Sequence, residues 1–310
     1  MSTDTELDIT SRPPGKVARE KLYHSILFLC AALSVVVTLS IIVILTRDAI
    51  GFFAEVSFRE FFLGTEFVAS KGRFGVLPLV SGTLLVTVIS ALIAIPIGVG
   101  AAVYLSEYAS DRMRSILKPG LEILAGIPTV VYGFFALVYV TPFLRVLGLP
   151  VATFNVLSAS LMVGIMIIPM VSSLSEDAMS SVPDSLRQAG YGLGATKFDV
   201  STGIVIPAAL SGIFSSFILA LSRAIGETMI VAVAMGLTPE MFDFSDPIGS
   251  ILGNGQTMTS KMVQVVGSEL AGAGAGYKSL FAIGLTLFAI TFIMNLLSNR
   301  IAARYREEYE

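Results

Sequence analysis

Six long uncharged apolar runs alternate with short polar stretches along the chain: Tyr23 to Thr46, Phe74 to Ser106, Ile123 to Leu144, Val146 to Ser175, Val200 to Ser222 and Ser279 to Asn299. A bilayer core about 30 Å thick takes roughly 20 apolar residues in a helix, and backbone groups in lipid must be satisfied within the segment. The pattern therefore predicts an all-α integral membrane protein with six transmembrane helices. Two runs exceed one span, so their helices are expected near Leu79 to Leu105 and Thr153 to Val171, with the remainder interfacial. The fifth run continues past Arg223 and Glu227 to Leu237 and is the only span with ionised residues well inside it.

The organisation this implies is a polar tail (1–22), a first transmembrane helix (23–46), an external loop (47–78), a core of five helices (79–299) and a second tail (300–310). The core contains a cytoplasmic loop at 172–202. The first apolar run exceeds a signal-peptide core of about 7 to 15 residues and lacks a small-residue cleavage pattern, which predicts a retained span. Pro96, Pro128, Pro142 and Pro169, with glycines in or beside the spans, suit a closely packed bundle.

Composition agrees: 54% of residues are hydrophobic and 14% charged, against about 25% charged in an average soluble domain. A net charge of −3 with no long basic run argues against a nucleic-acid partner and leaves lipid as the expected surroundings. The single Cys30 lies in an apolar run, so no disulfide framework or cysteine metal site is available. With the N-terminus inside, the cytoplasmic side holds Arg12, Lys16, Arg19, Lys21, Arg112, Arg114, Lys118, Arg187, Lys197, Arg300, Arg304 and Arg306. The other side holds the smaller set Arg47, Arg59, Lys71, Arg73, Arg145, Lys261 and Lys278. Cytoplasmic loops carry the Lys and Arg excess, so both termini of this multi-pass protein are expected in the cytoplasm.

In the 172–202 loop, Pro183 and Asp184 suit the start of a helix. Leu186, Ala189, Gly190 and Leu193 recur at helical spacing on one face, and Gly194 is placed to end it. Such a helix docks into a partner's groove or lies on lipid, and amphipathicity alone does not choose. The run Gly190 to Ala195 fits a loose dinucleotide fingerprint, but no strand precedes it and no acidic residue follows at the required distance. The chain has no phosphate-binding G-x-x-x-x-G-K-[ST] motif, so any nucleotide must sit on another polypeptide.

Gln188-Ala189-Gly190, three residues, Gly194, nine residues, then Ile204-Val205-Ile206-Pro207 resembles the EAA loop of ABC importer permeases, whose pattern is Glu-Ala-Ala, three residues, Gly, nine residues, Ile-x-Leu-Pro. Gln188 stands for Glu, Gly190 for Ala and Ile206 for Leu, and Arg187 precedes the motif. The resemblance implies that Arg187, Gln188, Ala189, Gly190, Gly194 and Ala195 couple the spans to a cytoplasmic ATPase.

Arg223 and Glu227 are four residues apart, a spacing that on a continuous helix brings both to one face, where they can meet. An unpaired Arg at the bilayer centre costs roughly 2.5 to 3.5 kcal/mol or more, so both are expected to face the protein interior. One reading is a structural ion pair. The other is an anion pathway, in which the planar donor fork of Arg223 takes phosphate or sulfate oxygens and Glu227 orients it or accepts a hydrogen bond from a protonated oxyanion.

The run Arg223-Ala224-Ile225-Gly226-Glu227-Thr228 resembles phosphate ABC permeases, as does Ala125 to Gly133, and Phe62 to Glu66, Phe74 to Leu79 and Gln256 to Thr259 favour the PstC-type subunit. The resemblance covers about Phe61 to Asn299. It implies a six-helix permease of the type I (MetI-like) kind, with Arg223, Glu227 and Thr228 in the substrate pathway. The implied partners are a PstA-like permease, two PstB-like ATPases carrying ATP and Mg, and an external PstS-like phosphate-binding protein. No cofactor, metal or catalytic residue is expected in this chain, which is read as a transport subunit and not an enzyme.

The Gly-rich run Ala271 to Gly276 reads as a linker rather than a docking segment. An ion-coupled secondary transporter of an oxyanion is the alternative function; it predicts an inverted repeat, which the chain does not display. An intramembrane enzyme needs a nucleophile with a base or a metal motif, and the only histidine, His24, sits at a helix end beside Tyr23.

Overall fold

The computed structural model describes residues 14–267 and 274–304. Helices α1 (Pro14–Phe53) and α2 (Phe58–Leu63) lead into a two-stranded antiparallel hairpin, β1 (Phe67–Val68) and β2 (Arg73–Phe74). Then come α3 (Leu77–Val103), α4 (Asp111–Gly126), α5 (Thr129–Phe135), α6 (Thr141–Val146), α7 (Val156–Ser180) and α8 (Asp184–Gly192). The chain finishes with α9 (Lys197–Val200), α10 (Ile206–Ala208), α11 (Leu210–Ile225), α12 (Met229–Ala234), α13 (Pro247–Leu252), α14 (Met258–Val266) and α15 (Gly274–Arg304). Three π-helical turns, Tyr104–Tyr108, Ala136–Val140 and Ser201–Val205, extend α3, join α5 to α6 and join α9 to α10.

Among the described residues, five helical segments are long and apolar enough to cross a membrane: Arg19–Phe53, Leu77–Tyr108, Thr129–Val146, Val156–Ser180 and Gly274–Leu297. The pair Lys197–Ala208 and Leu210–Ile225, bent by 68°, makes a sixth when taken as one span. The expected helical membrane architecture is thus present, with five to six spans and one short hairpin among the described residues. The helix in α1 begins inside the segment expected as a tail, and α15 runs on through Arg300 to Arg304. Of the Gly-rich run read as a linker, Ala271 to Ala273 lie outside the described residues, and Gly274 to Gly276 open α15.

Three spans differ from the expected ones. The third does not begin at Ile123, because Pro128 offers no N–H and pushes Ile127 to an extended conformation (φ −66°, ψ 129°). This separates the amphipathic α4 from the span proper. The fifth run is not one helix: it bends at Ala209, just after Pro207, and breaks again at Gly226 to Thr228. The fourth span extends further than expected, to Ser180, so much of the 172–202 loop is helical.

Helix α7 is the axis of the bundle, with most of its length buried, whereas the apolar side chains along most of α1 face outward as lipid demands. Apolar burial alone gives little drive between helices in lipid, so small residues and polar links matter. Ser90 Oγ on α3 donates to the Ser160 carbonyl of α7 at 2.9 Å. Ser175 and Ser216 share a hydrogen bond of 2.8 Å between α7 and α11. At Gly98 any Cβ would lie 2.7 Å from Val171, so glycine sets how closely α3 approaches α7.

At the hairpin end, Phe52, Phe61, Phe67 and Phe74 pack edge to face at 5.4 to 5.8 Å between centroids and close one end of the bundle. Lys278 pairs with Glu55 there, tying α15 to the region just after α1. The α8 end lies opposite, under a separate cluster of Ala102, Met179, Val182, Val200, Val205, Ala209 and Ile213.

Candidate translocation path and coupling loop

Helix α11 ends at Ile225 with Gly226 as its C-cap, and α12 starts at Met229. Glu227 lies in the break, and its Oε1 accepts the backbone N–H groups of Met229 at 2.9 Å and Ile230 at 3.1 Å. The carboxylate thus caps α12 and satisfies donors that the break leaves free. Thr259 Oγ1 donates to the Glu227 carbonyl at 2.7 Å, pinning the break to α14, and Thr228 Oγ1 donates to the Gly226 carbonyl at 3.1 Å.

The expected meeting of Arg223 with Glu227 is therefore corrected. The four-residue rule holds only on a continuous helix, and this one ends between them. Arg223 occupies the last turn of α11, where a cation favours the helix dipole, and makes no ion pair or hydrogen bond among the described residues. It is exposed and lines a cleft of about 300 Å³ with Glu122 and Ala125 of α4 and Pro169, Met170 and Ser173 of α7. An unpartnered cation in a mostly apolar cleft attracts an anion or a carboxylate of another chain.

The loop pattern is realised closely. Pro183 is the N-cap of α8 and Asp184 its first residue. Gly194 turns the chain with φ +85°, a left-handed conformation that side chains with a Cβ resist. Ala195 N–H then donates to the Gly190 carbonyl at 3.2 Å, closing the turn onto α8. Thr196 and Asp199 form a capping box that starts α9.

The expected single apolar face of α8 is split. Gly190 is buried against Val200 and Ile204, and Leu186 is half-buried, whereas Ala189 and Leu193 are exposed, Leu193 at 90%. Gln188, Tyr191 and Phe198 are also exposed, so the outer surface of the loop presents apolar and neutral groups beside the exposed charges of Asp184, Lys197 and Asp199. Arg187 points inward. Its guanidinium donates to Glu107 Oε1 at 3.1 Å and to the carbonyls of Met179 at 2.8 Å and Val182 at 2.6 Å.

Glu107 and Glu176 escaped the sequence reading, which used Arg114 and Lys118 only to judge orientation. Glu176 is buried in the last turns of α7 and pairs with Lys118 at 2.8 Å. The available signal was a carboxylate at the end of each of two apolar runs, beside a basic pair spaced four apart.

The model of the family described as "Binding-protein-dependent transport system inner membrane component" matches residues 94–307. The chain belongs to this family. It is 31% identical over 265 residues to the phosphate transport system permease protein PstC of Xylella fastidiosa (strain 9a5c), covering 79% of each chain. It is 32% identical over 235 residues to the probable ABC transporter permease protein YqgH of Bacillus subtilis (strain 168), covering 76% of this chain and 74% of that one. These similarities place it with the PstC-type permeases.

Its fold matches a chain of a bacterial alginate ABC transporter with TM-score 0.66 at 14% identity, covering 97% of this chain and 100% of that one. It matches a chain of the MetNI methionine ABC transporter with TM-score 0.54 at 18% identity, covering 75% and 95%. The fold is that of type I importer permeases. A permease of this family is a multi-pass inner-membrane subunit without its own nucleotide-hydrolysing site or cofactor, and it works with a separate ATPase and a substrate-binding partner.

Proposed function

We propose that this chain forms one half of the membrane channel of an ATP-driven importer of inorganic phosphate. A PstA-like permease completes the channel, two PstB-like subunits bind ATP and Mg, and a PstS-like external protein delivers the anion. Both termini lie in the cytoplasm, as the Lys and Arg distribution favours, and the α8 loop faces the ATPase.

The observation that carries the substrate assignment is Arg223: a guanidinium with no protein partner among the described residues, exposed to a cleft at a helix break. Its planar donors suit two oxygens of a tetrahedral oxyanion at once. Glu227 is committed to α12 through its cap, so its role is to hold the break that presents Arg223, with Thr228 closing the same turn. Similarity to PstC permeases favours phosphate over sulfate.

The test is ATP hydrolysis by the reconstituted complex, with the external binding protein supplied loaded with phosphate, loaded with sulfate, or empty. Stimulation by the phosphate-loaded form alone supports the assignment. Equal stimulation by a sulfate-loaded protein keeps the importer and removes phosphate as its specific cargo.

A further inference from the structure

The ends of the second and fourth spans are tied by two arginines in a crossed arrangement. Arg187, on α8, covers the carbonyls of Met179 and Val182 at the end of α7, and reaches across to Glu107 in the π turn that ends the second span. Arg114, on α4, does the converse. Its Nε and Nη2 cover the Leu105 carbonyl at 3.2 and 2.7 Å, Nη2 also reaches the Ser106 carbonyl at 3.3 Å, and Nε lies 3.8 Å from Glu176 of α7. Each arginine thus caps the end of one span and pairs with the carboxylate of the other.

The carboxylates are well shielded: the side chains of Glu107 and Glu176 are 4% and 2% exposed. Lys118, one turn beyond Arg114, adds the 2.8 Å contact to Glu176. Arg187 holds carbonyl and carboxylate oxygens in one planar fork, which resists rotation as well as separation, whereas Arg114 holds the carbonyls of the second span and faces Glu176 as a longer ion pair beside Lys118. Ordinary capping of a helix end needs neither the second carboxylate nor the crossing.

The same elements lead to the cleft. The second half of α4 supplies Glu122 and Ala125 to its wall, and α7 supplies Pro169 and Ser173 just before Glu176. We propose that Arg187, Arg114, Glu107 and Glu176 form a crossed clamp that transmits displacement of α8 to the walls of the Arg223 cleft. They are positioning residues, and Arg187 acts within the permease instead of on the ATPase surface. The inference rests on the importer reading for the source of that displacement.

The test is the ratio of phosphate transported to ATP hydrolysed by the complete reconstituted complex, for Glu107→Gln, Arg187→Gln and the double variant. Uptake is expected to fall about tenfold while hydrolysis stays within about twofold of the unmodified complex, an effect in the usual range of energetic coupling between sites. The double variant is expected to be no worse than either single one, because the pair acts as a unit.

Parallel loss of uptake and hydrolysis, or an unchanged ratio, overturns the clamp. If the Gln variants do not assemble, Arg187→Lys, which keeps the charge but not the fork, is expected to assemble with an intermediate ratio; its failure to assemble makes the group a folding element and overturns the proposal. The unmodified complex separates the two levels. Absence of ATP-driven uptake there refutes the importer reading, whereas normal uptake with unaffected variants refutes the clamp alone.

Discussion

The carboxylate of Glu227 accepts the backbone N–H of Ile230 at 3.1 Å, and so does for α12 what a serine or aspartate does at an ordinary helix N-terminus. A charged residue that sequence spacing assigns to an ion pair is instead part of the backbone architecture of the break.

Glu227→Ala removes that cap and is expected to lower the stability of the purified protein by about 0.5 to 2 kcal/mol. Glu227→Gln keeps an acceptor oxygen and is expected to lose less. Thermal unfolding of the two variants in detergent, alongside the unmodified protein, checks the order.

Arg223→Ala is expected to leave folding and subunit assembly intact, since the side chain makes no bond within the described residues. Phosphate uptake should drop by at least about tenfold, corresponding to about 1.4 kcal/mol of lost interaction with the moving anion. Arg223→Lys should recover part of this, because it restores the charge without the planar fork. Uptake by assembled complexes, normalised to their amount, measures both.

At Gly190 a Cβ would lie 2.7 Å from Ile204 Cδ1 and 3.0 Å from Val200 Cγ2. The terminal methyl of Ile204 can turn aside for one extra carbon, so Gly190→Ala is expected to be mild. Gly190→Leu overfills the seam and is expected to cost about 1 to 3 kcal/mol and displace α8. Gly194→Ala is expected to cost roughly 1 to 2 kcal/mol, since its φ of +85° is left-handed. Co-purification of the ATPase with each variant reports whether the loop keeps its shape.

In the loop between α12 and α13, the Ser245 hydroxyl and backbone N–H donate to Asp243 and hold its carboxyl below the usual carboxylate range. The charged form is favoured in the folded state, so this contribution is present above the ordinary carboxylate pKa and is lost as pH falls through the lowered one. Protection of the Ser245 amide from hydrogen exchange, corrected for intrinsic rate, should decline across that window. Asp243→Asn should abolish the pH dependence.

The number and rough positions of the spans were legible because lipid exposure imposes long apolar runs that local sequence displays directly. Pro183 and Gly194 were legible for a similar reason, since each acts through its own backbone restriction or freedom. The break at Gly226 was not, because an apolar run says where chain meets lipid and not whether its helix is continuous; at Ile127 the signal, Pro128, was present but was read as a tolerated bend inside the bundle. The partnership of Arg187 with Glu107 spans 80 positions, and only packing of the second and fourth spans brings the two together. Arg223 was recognised by its charge in an apolar run, but its lack of a partner emerged only when the helix break separated it from Glu227.

The most direct measurement is uptake of radiolabelled phosphate into proteoliposomes containing the complete complex, with ATP inside and the external binding protein added or omitted. The account predicts accumulation only when both ATP and the binding protein are present. Accumulation driven by an ion gradient without ATP would contradict it and make the chain part of a secondary carrier.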